Sequence, residues 1–499
     1  MIDLKKDNKQ RQVAHVMMYN PCIYYNRGIN SMINHTVQAS TEQLNNIITE
    51  NFKLHGNNRI TIADLMIGLW LARTVNLNKI VNYSSRATQM KKDDIYRGYQ
   101  NLIHKFSLTQ TQLALGILKM FGLLGDCQII LALDRTNWKY GLEDLNLLVL
   151  SVVVNGCGVP LFWLELDSKG NSNTAERNQL MEMFINTFGA QKISYILGDR
   201  EFIGDDWFSY LDKLQIKFIM RIKSNMQIDT GTPDGVGCSC AVISNAEFTN
   251  PNTKLVNYVI YFNKDTNEVK YYSKKEWHII QVSINDLSTE NHKLYNELID
   301  KLSGNNHKKW VPKHQLPKCL YRFTHMISAG ELCDLAEKTN ILTFYGQIDS
   351  HFLQIQATRS TENELVIVVS NDLITTRLLE IYKKRWSIEC LFGNLKTKGF
   401  NFEDTHFTKK ERLGNLTKLL ALAFAIALLL GIIKSMRTPI IIKTHGRREH
   451  SYFRYGYDLL ITMVLNDLQS VVRLIQLCFV AADWNQRIKI VQKELRRVK

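Results

Sequence analysis

A chain of 499 residues and 57.8 kDa exceeds one ordinary domain, and at about 150 residues per domain it has room for two to four with a sizeable core. Hydrophobic residues at 45%, charged residues at 22%, 7 prolines and 26 glycines exclude a disordered, collagen-like or mucin-like chain. The 62 Lys and Arg against 47 Asp and Glu leave a net charge of +15, which favours nucleic acid over a membrane surface, because cations release the counterions condensed on a phosphate backbone.

The first residues, Met1 to Asp7, have no apolar core after their charges, so no secretory signal is expected. The 9 cysteines are too sparse for a disulfide scaffold and odd in number, which points to a reducing cytoplasm. From Arg59 to about Met120, apolar residues such as Ile62, Leu65, Met66, Leu69 and Trp70 recur at steps of three and four, as in helices. Residues 1–120 are read as a helical N-terminal domain that binds DNA ends. Its basic and polar stretch from Arg86 to Arg97 suits either a helix-turn-helix-like contact or a solvated helix pair.

After Gly125 the period changes. Cys127 to Leu133 reads as a buried strand ending at Asp134, and Leu145 to Val154 and Val159 to Leu166 follow as two more, joined by a turn at Asn155 to Gly158. A helix from Asn173 to Phe188, a strand from Ile193 to Leu197, a helix from Trp207 to Leu214 capped by Asp205 and Asp206, and a strand from Phe218 to Ile222 complete a β-β-β-α-β-α-β order. That order makes residues 121–222 the first part of a ribonuclease-H-like α/β core with a mixed sheet. Residues 223–363 read as a β-rich insertion, with a hairpin of Tyr258 to Phe262 against Val269 to Ser273, further strands at Trp277 to Ile284 and Ile341 to Tyr345, and a helix at Lys293 to Leu302. Residues 364–440 resume the core with a strand at Leu365 to Val369 and a helix from Ile374 to Leu395. Residues 441–499 form a basic helical C-terminal region. The longest apolar run, Leu419 to Ile433, is shorter than the roughly 20 residues a bilayer span needs, and is read as a buried helix; no membrane association is expected. The stripe Leu460, Val464, Leu468, Val471, Ile475 and Cys478 is read as core rather than a dimer seam.

On the Ile374 helix, Tyr382, Arg385, Glu389 and Lys396 follow at steps of three, four and seven, which at about 100° per residue puts all four on one narrow face. Such a face is either an exposed ion-paired surface or a carboxylate held between cations. Asp134 and Asp199 bear on the choice, because each terminates an apolar strand, and functional groups of open α/β sheets gather at strand ends, although either one taken singly also fits a turn-forming Asp bonded to its own backbone. Three carboxylates from two strands and one helix suit Mg²⁺, which takes few protein ligands and leaves its other positions to water and phosphate oxygens. The glycine-rich Gly231 to Gly237 has neither the Lys-Ser/Thr ending nor the strand-to-helix setting of a phosphate loop, so no nucleotide cofactor is expected. Cys238, Cys240, Cys319 and Cys333 lack zinc-ligand spacing. Around Arg447 and Arg448, basic and aromatic residues interleave as in nucleic-acid contacts.

The pattern Tyr382-x2-Arg385-x3-Glu389-x6-Lys396 resembles the Y-R-E-K signature of bacterial insertion-sequence transposases of the DDE class. Ile196 to Gly204 resembles their second-Asp segment, and Leu133 to Lys139 their first. The resemblance covers about Gly125 to Asp404. It implies Asp134, Asp199 and Glu389 as catalytic, metal-binding triad, two Mg²⁺ ions with Mn²⁺ as substitute, and hydrolysis at the element's end followed by attack of the freed 3′-hydroxyl on another strand. It further implies phosphate contacts from Tyr382, Arg385 and Lys396, a tryptophan of the insertion, Trp277 or Trp310, stacking on a flipped base, a homodimer assembled on DNA, and a bacterial, nucleoid-associated location. The alternatives are a ribonuclease-H-like endonuclease that does not join, and a non-catalytic DNA-binding descendant of a transposase. Three carboxylates beside a phosphate groove argue against the second, since without metal they repel DNA.

Overall fold

The computed structural model describes residues 31–54, 61–140, 143–166, 170–229, 341–360, 364–444 and 446–480, with the strand segments 239–243, 258–263, 268–273, 279–282, 320–323 and 326–328. Among the described residues four helices of more than two turns lead, with a single-turn helix at Leu77–Ile80 between the second and third: α1 (Ser31–Phe52), α2 (Ile62–Ala72), α3 (Lys92–His104) and α4 (Gln110–Met120). The core follows with β1 (Ile129–Tyr140), β2 (Glu143–Val154), β3 (Cys157–Glu165), α5 (Thr174–Phe188), β4 (Ile193–Gly198), α6 (Asp205–Lys213) and β5 (Phe218–Arg221). β1, β2 and β3 form an antiparallel meander, whereas β4 runs parallel to β1 and β5 parallel to β4. The spatial order β3-β2-β1-β4-β5 is the expected ribonuclease-H-like arrangement. Its local causes were visible in sequence. Asn155 and Gly156, both with positive φ, make the tight β2–β3 turn, and Asn173 with Glu176 forms a capping box that starts α5.

The sheet continues beyond β5. Short strands β6 (Gln227–Asp229) and β12 (Met326–Ser328), the hairpin β13 (Leu342–Ile348) and β14 (His351–Arg359), and β15 (Leu365–Ser370) extend it in the order β12-β6-β13-β14-β15-β5, making ten strands. Strands β7 (Ser239–Ile243), β8 (Tyr258–Asn263), β9 (Glu268–Ser273), β10 (Ile279–Val282) and β11 (Leu320–Phe323) form a separate antiparallel sheet. It includes the expected hairpin, with Tyr258 opposite Ser273. The strand at 341–345 therefore belongs to the main sheet. The helix read at 293–302, Gly231 to Gly237 and the basic stretch 483–499 lie outside the described residues.

Two boundaries differ from the reading of the sequence. β1 does not stop at Leu133 but runs on to Tyr140, because after β4 ends it keeps β2 as a partner, from Asp134 opposite Val149 to Tyr140 opposite Glu143. Asp205 and Asp206 are not N-caps: Gly204 holds that position and both acids fall in the first turn of α6, where the helix dipole favours them.

After β15, α7 (Leu378–Tyr382), a 3₁₀ turn (Lys383–Arg385) and α8 (Trp386–Leu395) replace the single helix expected from Ile374. Then come α9 (Lys410–Arg437), α10 (Tyr452–Asn466) and α11 (Leu468–Val480). α9 is long and apolar enough to cross a membrane, yet nearly all of its apolar stretch is buried inside the protein. A helix enclosed on all sides needs no polar face. Trp70 of α2 donates to the Ala423 carbonyl at 3.2 Å, and Asn415 donates to the Ile103 carbonyl of α3 at 2.8 Å, so the N-terminal helices wrap α9. On α10 and α11 the stripe is core: Leu460, Leu468, Val471 and Ile475 are buried, and Phe479 meets Phe52 of α1 edge to face.

Candidate active site

The register of β1 on β4 places the first two acids together. Ala132 pairs with Leu197, and two residues further on stand Asp134, within β1, and Asp199, one residue past the end of β4. The two carboxylates are close enough for Asp199 to repel the charge of Asp134. The third acid arrives on α8, which packs on β3 above Gly158. A Cβ at that glycine would lie 3.1 Å from the Ser387 carbonyl oxygen, tighter than ordinary packing. Gly158, read from sequence only as a turn residue, thus sets how closely the Glu389 helix approaches the sheet.

Arg385 occupies the centre. Its side chain is 8% exposed, its Nη1 lies 3.3 Å from Asp134 Oδ2, and its Nη2 donates to Glu389 Oε1. Burial works against this charge, but Tyr382, Asp199 and Glu389 outweigh it and hold the Arg385 pKa above its ordinary value. The guanidinium sits 5.8 Å from the centre of the Tyr382 ring. The Tyr382 phenol is itself pushed up by burial.

Asp134 is pushed up to about 6, chiefly by burial, with Glu201 and Asp199 adding repulsion and the Arg135 backbone N–H and Arg385 opposing it. One carboxylate oxygen of Asp199, Oδ1, is buried with no hydrogen-bond partner. The loop carrying Asp199 to Glu201 is fixed from both sides: Arg177 donates to the Glu201 carbonyl at 2.8 Å, and Arg135 pairs with the Glu201 carboxylate at 3.4 Å.

Lys396 stands apart. It caps α8, its N–H still bonded to the Phe392 carbonyl at 2.9 Å, and its side chain turns to the far end of β1 rather than to the acids. Its Nζ bonds the Asn137 carbonyl at 3.1 Å and Glu403 at 2.9 Å, over the Trp138 ring. Arg447 and Arg448 lie on an exposed segment between α9 and α10. Trp277 and Trp310 lie outside the described residues. The sequence reading passed over Trp386, which is 62% exposed and directly follows Arg385 and the exposed Lys383 and Lys384. The run Lys383-Lys384-Arg385-Trp386, basic residues next to an aromatic, was the available signal.

The donor chemistry suits a hard divalent cation: oxygen ligands only, one of them unpartnered and buried. As the side chains stand, with Arg385 between them, no group of three acidic, His or Cys side chains among the described residues is close enough to hold a metal ion. One guanidinium thus offsets part of the negative charge of the three acids from within.

Residues 125–426 match the family model of the transposase DDE domain. No curated protein matches the chain. Among solved structures, the cryo-EM piggyBac transposase synaptic complex with hairpin DNA is similar to this chain at 8% identity and a TM-score of 0.35, over 91% of this chain and 82% of that one. A likeness so slight carries no argument.

Proposed function

The chain belongs to the transposase DDE-domain family, and from that premise we propose that it cuts the ends of a mobile DNA element and joins them to target DNA, with Asp134, Asp199 and Glu389 as its triad. The observation that carries this reading is the convergence of these three acids, from two adjacent strands and one helix, on a single buried guanidinium with an unpartnered Asp199 oxygen beside it. Two Mg²⁺ ions, or Mn²⁺ in their place, held by these carboxylates would supply activation of the attacking oxygen and stabilisation of the leaving one. Arg385 bridges two of the acids as the site stands, and it would turn to a phosphate oxygen once they are neutralised otherwise. Tyr382 backs that guanidinium. Lys396, anchored at Asn137 beside β1, contacts a second phosphate, and Trp386 offers an exposed ring to an unstacked base. Arg447 and Arg448 hold DNA away from the centre. Since each element end needs its own site, the working form is a homodimer assembled on DNA.

The test is Glu389→Gln. Cleavage of element-end DNA in Mg²⁺ should fall by at least about a thousandfold while end binding persists, because the change removes one acid and keeps its shape; retention of full cleavage rejects the triad. Strand joining is measured with a precleaved end and a target plasmid, and an enzyme that cleaves without ever joining is an endonuclease instead.

A further inference from the structure

Between α9 and α10 the chain runs into solvent as a short two-stranded ribbon formed by residues 438–444 and 446–450. It is tied along its length. Ile442 and Arg448 form an antiparallel bridge, Glu449 N donates to Ile441 O at 2.8 Å, and Lys443 N donates to Arg447 O at 2.9 Å. Gly446, at φ +77°, closes the tip by donating to Lys443 O at 2.9 Å, a backbone conformation that favours glycine. The base is held as well: Tyr455 donates to the Thr438 carbonyl at 3.2 Å, and Arg448 lies 4.3 Å above the Tyr452 ring. Below it α9 and α10 cross backbone to backbone, where a Cβ at Gly431 would strike the Tyr452 carbonyl and one at Gly456 the Ala427 carbonyl. The ribbon is a shaped element on a tightly packed support.

Its outward face is unusual. Ile441 and Ile442 are 66% and 59% exposed, although burying an isoleucine is worth about 1.5 to 3 kcal/mol. From Lys434 to His450 the chain carries five Lys or Arg residues and one acid, Glu449, which Lys443 pairs with at 2.8 Å. A second copy docked symmetrically would bring the same cations against themselves, so charge selects a polyanion. Apolar side chains leading a cationic element suit a wedge between base steps in the minor groove, where kinking the duplex brings more of it against protein. The base of the ribbon is packed against the segment that follows the Glu389 helix. Phe453, at its base, stacks on Phe424 at 4.7 Å and meets Phe400 at 6.0 Å, and Phe400 lies in the segment that follows α8.

We propose that this ribbon inserts Ile441 or Ile442 into the minor groove of duplex DNA running past the site, kinking it, while Arg447 and Arg448 hold the flanking phosphates. The inference rests on the transposase reading for its choice of DNA.

The test uses the full chain and a mixed-sequence duplex carrying a fluorescence-transfer pair on its ends. Binding of the unaltered protein should raise transfer. Ile441→Ser with Ile442→Ser should lose most of that rise while the salt dependence of binding stays. Arg447→Ala with Arg448→Ala should weaken binding about tenfold or more and lower the salt slope by about two. Both pairs are exposed, and thermal melting of each variant confirms the fold. Transfer in the isoleucine variant equal to that of the unaltered protein overturns the proposal. So does loss of self-association in sedimentation with bending intact, which gives the surface to a second copy. On a second duplex that carries the element's end, bending without any cleavage in Mg²⁺ would sink the transposase reading and leave the wedge standing; cleavage with an unaffected bend in the isoleucine variant would sink the wedge alone.

Discussion

Arg385→Met removes the central charge and keeps much of the side-chain volume. Breaking a buried ion pair on one side costs about 3 to 5 kcal/mol, because the abandoned charge stays desolvated. Here the Arg385 side chain is 8% exposed, Asp134 19% and Glu389 33%, so water partly screens the acids and the expected loss is about 2 to 3 kcal/mol. The assay is urea unfolding in EDTA and in saturating Mg²⁺. In EDTA the variant leaves Asp134 and Glu389 facing Asp199 without a counter-charge, and the full loss should appear. In Mg²⁺ most of it should return, since binding at a hundredfold excess over Kd stabilises by about 2.7 kcal/mol. Arg385→Lys, which keeps the charge but not the two-pronged geometry, should fall between. An equal loss in both media, or a loss below about 0.5 kcal/mol in EDTA, refutes the view that this guanidinium occupies the place of a cation.

Two further outcomes follow from the charges. Asp134 has its pKa raised to about 6 from 3.8, so it favours the fold when protonated, and that contribution is lost as pH rises through 6. Asp134→Asn should therefore be more stable than the unaltered protein at pH 7 to 8 in EDTA, by about 2 to 3 kcal/mol, with the difference gone below about pH 4; denaturation midpoints across pH read it, and a variant less stable at pH 8 contradicts the burial argument. Asp64, 2% exposed in α2, accepts hydrogen bonds from Ser84 Oγ at 2.7 Å, Ser85 N at 2.7 Å, Ser85 Oγ at 2.6 Å and Tyr99 Oη at 2.5 Å. Asp64→Ala orphans those donors and should cost about 3 to 5 kcal/mol, seen as faster amide exchange throughout α2 and α3, and exchange at the original rate would show that the donors find other partners.

The catalytic half of the fold was legible because its signals are local. Apolar runs ending in Asp134 and Asp199 mark two strands, Asn155 and Gly156 mark the turn, and Asn173 with Glu176 marks a helix start. What escaped depends on partners distant in sequence. Arg135 to Lys139 reads as polar loop, yet it is strand because β2 lies opposite. Nothing local announces that β13 and β14 join the main sheet, since β15 and β6 are their neighbours. The 3₁₀ turn at Lys383 to Arg385 contains no glycine or proline, and it coincides with the residue pulled toward Asp134 on β1. Nothing local marks Asp64, because its donors lie 20 to 35 residues away.

The same distinction governs the charge. A surplus of fifteen positive charges says only that a polyanion is welcome, whereas the site needs a locally negative centre that phosphate can still approach. Asp134 and Glu389 share one buried guanidinium, so in the metal-free protein a single positive charge offsets part of the repulsion of three acids and leaves the centre locally negative. On the proposed reading this becomes an exchange: a cation that neutralised the acids would release Arg385 to face a phosphate oxygen. A lysine at 385 could supply the charge but not bridge Asp134 and Glu389 with two separate nitrogens, which is a physical reason for arginine at this position.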